Sequence, residues 1–385
     1  METADAAIVG AGVVGLAVAY ELAKSGVKSI AVLERQNFPG MGSTACCTGG
    51  IRLQFSSKAN INFSKFGLEK FISLSDEMGT DIGLKKAGYL FLITSKHQVH
   101  LYSMGHKLQK SLGVDTYFVD KSWIGKYADF LNLEDVISGS YCPLEAHASP
   151  HSVIESYLKA MRSLGVDVYT NREVTGIGIS GDRVTGISTN KGPISTGIIV
   201  NCAGPWAGNI ASMAGSRLPI VTRKRHVLVI KPPSSVNQNM PLIVDIGSGL
   251  YFKPEAGNLM LMGGTDRNGQ VSQETLRHPE TIDRIIEAGI KRAPAFENAG
   301  HIKTIVGLRA LSPDDHSIIG KIPNVKGFYC AAGFSGHGFM HAPAAAAALT
   351  ELILYERSIL FDLTAFDPSR FERRARKRAH EKYVF

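Results

Sequence analysis

Two glycine-rich turns, one near each end of the chain, have residue types and spacing that open backbone N–H groups to a ligand. The first contains Gly10, Gly12 and Gly15, follows the apolar run AAIVG, and precedes a segment with helical periodicity at 13–24. In such a turn the first glycine permits a tight bend, the second admits a pyrophosphate, and the third lets helix and strand pack closely. The spacing predicts a dinucleotide site at a strand–turn–helix junction.

An acidic residue follows this turn at the distance that a bound ribose requires. The segment SIAVLE reads as a second strand and ends in Glu34, 19 residues after Gly15. A carboxylate there accepts hydrogen bonds from a ribose diol and repels a 2′-phosphate, which disfavours NADP. Glycines also serve ordinary turns, but here strand, turn, helix, second strand and acid all agree. The motif predicts a dinucleotide and leaves FAD and NAD open.

The second turn, GFSGHGFM at residues 333–340, stands directly before HAPAAAAALTELIL, which reads as one long helix. A helix N-terminus carries free N–H groups and partial positive charge, so residues 336–340 would stabilise an anion beside them. A helix-capping turn accounts for one glycine but not for three around an interposed histidine. The turn is therefore expected to admit close approach by an anionic group.

Composition and charge narrow the class of protein. The chain has 385 residues, 44% apolar and 20% charged, which is typical of a soluble globular protein with two domains. The net charge is +8, but residues 370–382 hold seven basic residues against Glu372 and Glu381 and so carry five of those charges. The nearly balanced remainder disfavours nucleic acid. The tail is interpreted as a solvated helix face, with a membrane surface or partner subunit as the alternative contact.

The cysteine spacing and the apolar N-terminal stretch indicate the cellular compartment of the protein. The five cysteines form no C-x-x-C pair, which argues against a disulfide framework and a zinc site and favours a reducing compartment. The stretch AAIVGAGVVGLAVAYELA has about the length of a signal peptide or anchor, but it lacks a basic n-region and is interrupted by glycines. A cytoplasmic protein without a metal site is expected, with membrane association through the tail as the alternative.

Helix-type and strand-type segments alternate along the chain. Helical patterns cover 60–76, 95–112 and roughly 272–291, and a further helix begins at Pro150 with Ser149 as N-cap. Strand patterns cover 87–94, 219–231, 242–253, 258–264 and 302–309, with short strands across 167–200. IIVNCAGPWAG and GFYCAAGFSGHGF each read as strand, glycine turn and helix. Nucleotide-type segments thus occur at the beginning, middle and end, with a strand-rich portion inserted in two pieces.

These motifs carry a resemblance to a known family. IVGAGVVGL, the ST…GGIR loop, NCAGPWAG, YFKPE, LRALSPDDHSIIG and GFSGHGFM resemble the FAD-dependent D-amino-acid oxidase and sarcosine oxidase superfamily, over residue 6 to about 371. STACCTGGIRLQF and the methionine of GFSGHGFM are most similar to β subunits of archaeal dye-linked L-proline dehydrogenase and of sarcosine oxidases. The resemblance implies a p-hydroxybenzoate-hydroxylase-like α/β fold, in which a Rossmann-type FAD-binding domain carries an inserted α+β antiparallel-sheet substrate domain.

The implied domains are discontinuous in sequence. The FAD-binding domain is expected in three parts, 1–84, 142–217 and 310–371, and the substrate domain in two, 85–141 and 218–309. Residues 372–385 form the basic tail.

The resemblance also implies a set of cofactor-binding residues. The glycine turn would hold the pyrophosphate, Glu34 the adenosine ribose, the backbone of Val174 the adenine, and residues 49–52 would run beside the isoalloxazine. The full set is Gly10, Gly12, Val13, Val14, Gly15, Glu34, Arg35, Ser43, Thr44, Gly49, Gly50, Ile51, Val174, Ala203, Gly204, Trp206, Gly307, Arg309, Gly333, Gly336, His337, Gly338, Phe339 and Met340. The second glycine turn would then face the anionic, reduced flavin.

The implied reaction is hydride transfer from the carbon next to a neutral amine onto the flavin, giving an imine that water hydrolyses. Arg52 follows two glycines in an apolar loop and is the candidate clamp for a substrate carboxylate, with a surface ion pair as the alternative. Tyr251 would wall the pocket or bond the carboxylate, unless it is a core tyrosine. His337 would touch flavin or substrate, or make a structural hydrogen bond. Lys253 and His226 are weaker pocket candidates.

Three departures from the family pattern refine these expectations. Monomeric sarcosine oxidases have a lysine where this chain has Met340, so the carboxylate clamp must be built differently or the substrate differs. Those enzymes attach flavin through a cysteine at the position of Gly307, so FAD is expected to be non-covalent here. The oxygen-activating lysine has no counterpart in LMLMGGTD at 259–266, which favours a dehydrogenase over a fast oxidase.

Several functions remain open at this point. The main expectation is an enzyme that oxidises the C–N bond of a small amino acid, such as L-proline or sarcosine, with an electron acceptor or partner subunits. The alternatives are a hydroxy-acid or glycerol-phosphate dehydrogenase, a D-amino-acid or glycine oxidase, a non-catalytic flavoprotein subunit and, as the weakest, an NAD dehydrogenase.

Overall fold

The computed structural model describes residues 2–264, 271–372 and 380–383. The end of LMLMGGTD and most of the predicted basic tail, at 265–266, 373–379 and 384–385, lie outside the described residues. The strands, in chain order, are β1 (Glu2–Thr3), β2 (Ala6–Val9), β3 (Ile30–Leu33), β4 (Gly50–Ile51), β5 (Tyr89–Ile93), β6 (Tyr117–Val119), β7 (Ser138–Cys142), β8 (Ala146–His147), β9 (Asp167–Tyr169), β10 (Val174–Ser180), β11 (Arg183–Thr189), β12 (Ile194–Ser195), β13 (Ile199–Asn201), β14 (Val221–Lys231), β15 (Leu242–Asp245), β16 (Leu250–Glu255), β17 (Leu259–Gly264), β18 (Gly300–Leu311), β19 (Ile318–Lys321) and β20 (Phe328–Ala332).

Eight α-helices accompany these strands in the described part of the chain. In chain order they are α1 (Val13–Lys24), α2 (Lys58–Met78), α3 (Lys96–Ser111), α4 (Lys121–Tyr127), α5 (Pro150–Ser163), α6 (Ala207–Ser212), α7 (Pro279–Arg292) and α8 (Gly338–Tyr355). Ser149 caps α5 and Pro150 occupies its first turn, as the sequence predicts. The alanine-rich α8 packs against α1 and α2 in the largest hydrophobic core.

A six-stranded sheet positions the glycine-rich turns. Its order is β19-β20-β13-β2-β3-β9, and all of its pairs are parallel except β19 with β20. The first glycine turn follows β2, Glu34 follows β3, the Cys202–Gly204 bend follows β13, and the second glycine turn follows β20. Because these four strands are parallel, all four features meet at one edge of the sheet. This is the edge at which doubly wound sheets bind ligands.

An eight-stranded sheet forms the second half of the molecule. Its order is β18-β14-β17-β16-β15-β5-β7-β6, and it is antiparallel apart from the parallel pair β5 and β15. β14 and β18 are its longest strands and pair from Val221↔Leu311 to Lys231↔Gly300. A separate four-stranded sheet has the order β1-β12-β11-β10.

Two predicted elements differ from the structure, each for a local reason. The single strand expected over 242–253 is two strands, β15 and β16, because the chain turns at Gly249, which has a φ of 74°. The helix expected from about 272 begins at Pro279, since His278 before it has an extended backbone. A residue before proline is sterically driven away from helical geometry.

The two-residue strands β4 and β8 form a small antiparallel pair, with Gly50 opposite His147 and Ile51 opposite Ala146. Along the chain, β4 follows β3 of the six-stranded sheet and precedes β5 of the eight-stranded sheet. Arg52 is the residue directly after β4. This pairing therefore sets where the predicted substrate arginine enters the molecule.

Candidate active site

A cavity of about 860 Å³ extends from the ligand edge of the six-stranded sheet to one face of the eight-stranded sheet. Its volume falls in the range of sites that enclose a whole cofactor or drug-sized ligand. All of the predicted site residues line it except Gly15, Ile51 and the weaker candidate Lys253. Gly15 lies beneath the turn, and the Ile51 side chain is buried in the hydrophobic core, so neither reaches the cavity wall.

The first glycine turn has a backbone that other residues would disturb. Gly10 has a φ of 101°, and a Cβ there would lie 2.7 Å from the carbonyl oxygen of Cys202. A Cβ at Gly15 would overlap the carbonyl oxygen of Gly10. The backbone N–H of Val13 donates to Thr44 Oγ1 at 3.1 Å, which ties the 43–44 loop to the start of α1. The turn thus brings bare backbone to the cavity wall.

Glu34 and Arg35 are held at the rim of the same cavity. Glu34 Oε2 accepts from the N–H of Ala11 and Oε1 accepts from the N–H of Gln36, both at 2.9 Å. The Arg35 guanidinium stacks over the Trp206 ring, 3.6 Å from its centroid. These contacts fix the Glu34 carboxylate and the flat Arg35 guanidinium on the cavity wall, which Val174 also lines.

The second glycine turn presents the N-terminus of α8 to the cavity. Gly338, Phe339 and Met340 line it, and no side chain within the described parts of the chain caps this helix. Gly336 has a φ of 94°, and a Cβ there would collide with the guanidinium of Arg309. Arg309 Nη2 donates to the Ser335 carbonyl at 2.7 Å. The glycine is therefore required for Arg309 to lie beside the helix start.

Arg52 lines the cavity and is also held by protein groups. Its Nη1 donates to the Gln54 carbonyl and its Nη2 to the Tyr383 carbonyl, both at 2.6 Å. The guanidinium lies over the Phe55 ring, 3.8 Å from the centroid. Burial lowers the pKa of Arg52, while the carboxylate of Glu381 acts in the opposite direction. The guanidinium is fixed in one orientation, and its role as a carboxylate clamp stays a prediction.

His337 is a neutral, buried ring in contact with Arg52. Its Nε2 lies 3.2 Å from Arg52 Nη2. Arginine can only donate, so Nε2 accepts and the proton resides on Nδ1. Burial, and then the charge of Arg52, lower the pKa of His337 well below its ordinary value. The imidazole therefore contributes no charge to the site at neutral pH.

One face of the eight-stranded sheet closes the other end of the cavity. Tyr251 stands opposite Gly263 on β17, and Val227 on β14 stands opposite the same glycine. No described residue bonds the Tyr251 hydroxyl, and burial raises its pKa, so the hydroxyl stays protonated. The other side chains of this face that line the cavity are Tyr89, Phe91, Leu242, Val244, Arg225 and Arg309.

Arg225 is a site residue that the sequence reasoning missed. It pairs with Gly307 across β14 and β18, which places it diagonally next to Arg309 on the cavity face. Burial, and then repulsion from Arg225 and Arg52, lower the pKa of Arg309 to about 9. Three guanidinium groups thus concentrate positive charge at one end. The alternation of Arg223, Arg225 and Val227 was the available signal for Arg225, while Lys253 instead pairs with Glu255 at 2.8 Å.

A buried carboxylate outside the cavity, also missed, fixes the loop that carries Arg52. Glu145 accepts from the N–H of Leu53, from the N–H of Gln54 at 2.7 Å, and from the Gln54 side-chain amide at 2.8 Å. Burial raises the pKa of Glu145 to about 7, although the hydrogen bonds from Gln54 oppose this shift. Glu145 immediately precedes β8, so loop and strand pair are held together.

Cys46 and Cys47 lie on the cavity wall as thiols. A Cβ at Gly307 would lie 2.7 Å from the Cβ of Cys46, so the glycine allows this loop to approach β18. Burial raises the pKa of Cys47 to about 12, which disfavours a reactive thiolate.

Comparison with known proteins decides the family. Residues 5–352 match the model of the DAO family, which is described as FAD dependent oxidoreductase. The chain belongs to this family. Family membership confirms the predicted superfamily, the predicted fold class and FAD as the cofactor.

Individual relatives agree with the family. The structure of L-proline dehydrogenase from P. horikoshii is 31% identical with a TM-score of 0.90, and the match covers 96% of this chain and 98% of that one. Sarcosine oxidase subunit beta of Rhizobium meliloti is 28% identical over 96% of this chain and 88% of its own length. Mitochondrial sarcosine dehydrogenase of Homo sapiens is 27% identical over 99% of this chain, which spans only 44% of that protein.

The residues on the cavity wall fit FAD. The bare turn at Gly10 and Gly12 suits a pyrophosphate, and Glu34 at the rim suits a ribose. The uncapped N-terminus of α8 lies further along the same cavity and suits the electron-rich end of a flavin. Among the helices of the described ranges, none combines the length and apolar character needed to span a bilayer.

Proposed function

We propose that the protein uses FAD to oxidise the C–N bond of a small amino acid, with a secondary amine such as L-proline or sarcosine as substrate. The observation that carries this proposal is the set of guanidinium groups at one end of the cavity, beside a wall of aromatic and aliphatic side chains on β5 and β15. A small zwitterion with an apolar body matches both parts. The names of relatives, an L-proline dehydrogenase and a sarcosine oxidase subunit, support it.

The cofactor would be held without a covalent bond along the whole cavity. Gly10 and Gly12 would contact the pyrophosphate, Glu34 the ribose, and the N–H groups at the start of α8 the flavin. When bound, FAD accepts a hydride from the substrate carbon. The chain's own contribution is to orient the substrate and to exclude water.

The substrate carboxylate would lie near Arg309, Arg225 and Tyr251. Arg309 is half-buried and is repelled by the neighbouring guanidinium groups, so an anion placed among them removes an unfavourable interaction. The protonated Tyr251 hydroxyl adds a donor that no described residue uses. Arg52 adds positive charge from the side of α8. Charge-assisted bonds of this kind supply both affinity and orientation.

The remainder of the pocket selects the rest of the substrate. Tyr89, Phe91, Leu242 and Val244 line an apolar wall on strands β5 and β15. A pyrrolidine ring or an N-methyl group would bury against this wall without an unpaired polar atom. Glycerol phosphate offers no apolar body for it, which ranks that alternative lower. The relation to a β subunit supports partner subunits that receive the electrons.

An anaerobic visible spectrum of the flavin-loaded protein tests this proposal. L-Proline and sarcosine are added separately, with pyrrolidine as the matched amine without a carboxylate, and with glycerol 3-phosphate. We expect bleaching by an amino acid and weak or no bleaching by pyrrolidine. We also expect slow return of colour in air, because the sequence favours a dehydrogenase over a fast oxidase. Bleaching by glycerol 3-phosphate alone would replace the assignment. Reduction only by dithionite would favour a non-catalytic flavoprotein.

A further inference from the structure

Residues 380–383, here called the C-terminal strap, return to the body of the protein next to Arg52. The composition of 372–385 predicts a solvated basic tail, but Glu381 and Tyr383 are each only 3% exposed. The strap lies against Ser56 and the N-terminus of α2, more than 320 residues away in sequence. Because the segment is so short, the burial of its carboxylate and its aromatic ring requires specific partners in the body of the protein.

Glu381 anchors the strap through its carboxylate. Oε1 accepts from the N–H of Ser56 at 2.7 Å and from Ser56 Oγ at 2.6 Å. Oε2 accepts from Ser57 Oγ and Asn60 Nδ2, both at 2.9 Å. Ser57 is the N-cap of α2, so the charge also lies at the favourable end of the helix dipole. Every lone-pair direction of this buried carboxylate thus has a donor.

Tyr383 carries the contact to the active site. Its ring stacks on Tyr102, with centroids 4.5 Å apart and planes at 7°, and its hydroxyl donates to the Leu101 carbonyl at 2.8 Å. Gly105 leaves the room for that hydroxyl, because a Cβ there would strike it. The carbonyl of Tyr383 then accepts from Arg52 Nη2 at 2.6 Å.

We propose that the C-terminal strap positions Arg52 for binding the substrate carboxylate, with Glu381 and Tyr383 as positioning residues. This inference rests on the proposed function. The Gln54 carbonyl and the Phe55 ring hold one side of the guanidinium, and the strap holds the other. Loss of the strap removes one of the two backbone carbonyls that fix the Arg52 guanidinium, and it removes the Glu381 carboxylate whose field supports the Arg52 charge. A carboxylate ligand then meets a guanidinium whose orientation is less firmly fixed.

The test compares the flavin-loaded full chain with Glu381→Ala, with a chain shortened after residue 379, and with Lys382→Ala as the matched control. Lys382 is exposed and its backbone N–H donates to Ser56 Oγ, so this variant keeps the backbone contact and changes a solvent-facing side chain. Two quantities are measured for each: the KM and kcat for the amino acid that bleaches the flavin, and the Kd of acetate from the change in the flavin spectrum. Each protein is also combined with Arg52→Ala, and hydrogen exchange at residues 56–60 reports release of the strap.

We expect Glu381→Ala and the shortened chain to raise KM and the acetate Kd about tenfold, with kcat within about twofold of the parent. Lys382→Ala leaves both constants unchanged, and in the Arg52→Ala background the strap variants have no further effect. The inference would be overturned if the strap variants raised KM and the acetate Kd equally with and without Arg52. It would also be overturned if the acetate Kd stayed unchanged despite faster hydrogen exchange at residues 56–60. If no amino acid reduces the flavin, the proposed function fails, while the acetate titration still decides the role of the strap.

Discussion

Replacement of Gly336 by alanine should damage substrate binding through Arg309 alone. At Gly336 the φ is 94°, and an added Cβ would lie 2.5 Å from both Cζ and Nε of Arg309. That is closer than non-bonded atoms approach, so the guanidinium must swing away. It then loses its hydrogen bond to the Ser335 carbonyl, now 2.7 Å long. The substitution therefore tests whether the position of this arginine, rather than its presence, determines binding.

The expected changes in stability and in KM follow from two separate free-energy costs. An L-residue in the left-handed region costs about 1–2 kcal/mol of folding free energy. Displacing a charged hydrogen-bond donor from a buried anion costs about 1.5–3 kcal/mol, which corresponds to about a 10–100-fold rise in KM. Gly79→Ala is the matched control because Gly79 has a φ of 58°, lies outside the cavity wall, and its Cβ would approach Lys159 Nζ only to 3.7 Å.

The assay measures KM and kcat with an artificial electron acceptor, together with thermal unfolding, for Gly336→Ala, Gly79→Ala, Arg309→Met and Gly336→Ala/Arg309→Met. Both alanine variants should lose similar stability, and only Gly336→Ala should raise KM. The double variant should bind no worse than Arg309→Met, because the displaced group is already gone. Equal KM effects from both alanine variants would refute the reasoning. Additive effects in the double variant would also refute it.

Three further changes are expected to separate cofactor binding, folding and substrate binding. Gly15→Ala places a Cβ on the Gly10 carbonyl oxygen, so the purified protein should lose most of its flavin absorbance; full flavin content would contradict this. The folded-state pKa of Glu145, about 7 against an ordinary 4.5, means that the folded protein holds this proton more tightly. The free energy of unfolding should fall by roughly 3 kcal/mol as pH rises from about 4.5 to 7. Urea unfolding at several pH values should show that the free energy of unfolding depends less on pH in Glu145→Gln than in the parent. An equal pH dependence in the two proteins would exclude Glu145 as its source. Tyr251→Phe should raise KM severalfold with little change in kcat, and an unchanged KM would remove its hydroxyl from carboxylate binding.

The features predicted correctly are those with a local physical signal. A glycine turn between a buried run and a periodic segment specifies the β2–α1 junction, because few other residues tolerate the backbone of Gly10. The start of α7 at Pro279 was missed although the proline is a local signal for a first helical turn. In contrast, Arg225 reaches the cavity only because β14 pairs with β18 in the register that sets it opposite Gly307. Strand alternation restricts Arg225 to one of two faces, and only the long-range pairing decides which face is the site.

The surroundings of Arg52 show why composition alone misjudges a charged segment. Residues 372–385 appear in the sequence as an excess of basic charge, and nothing local distinguishes Glu381 from a solvated glutamate. Its burial depends on donors at Ser56, Ser57 and Asn60. Burial by itself raises the pKa of Glu381, but the hydrogen bonds from Ser56, the charge of Arg52 and the hydrogen bond from Asn60 together keep that pKa below the ordinary value. The strap's contribution to stability is consequently present above about pH 4.5 and is lost as pH falls through the lower, folded-state pKa. The orientation of one pocket arginine is thus decided by partners from opposite ends of the chain.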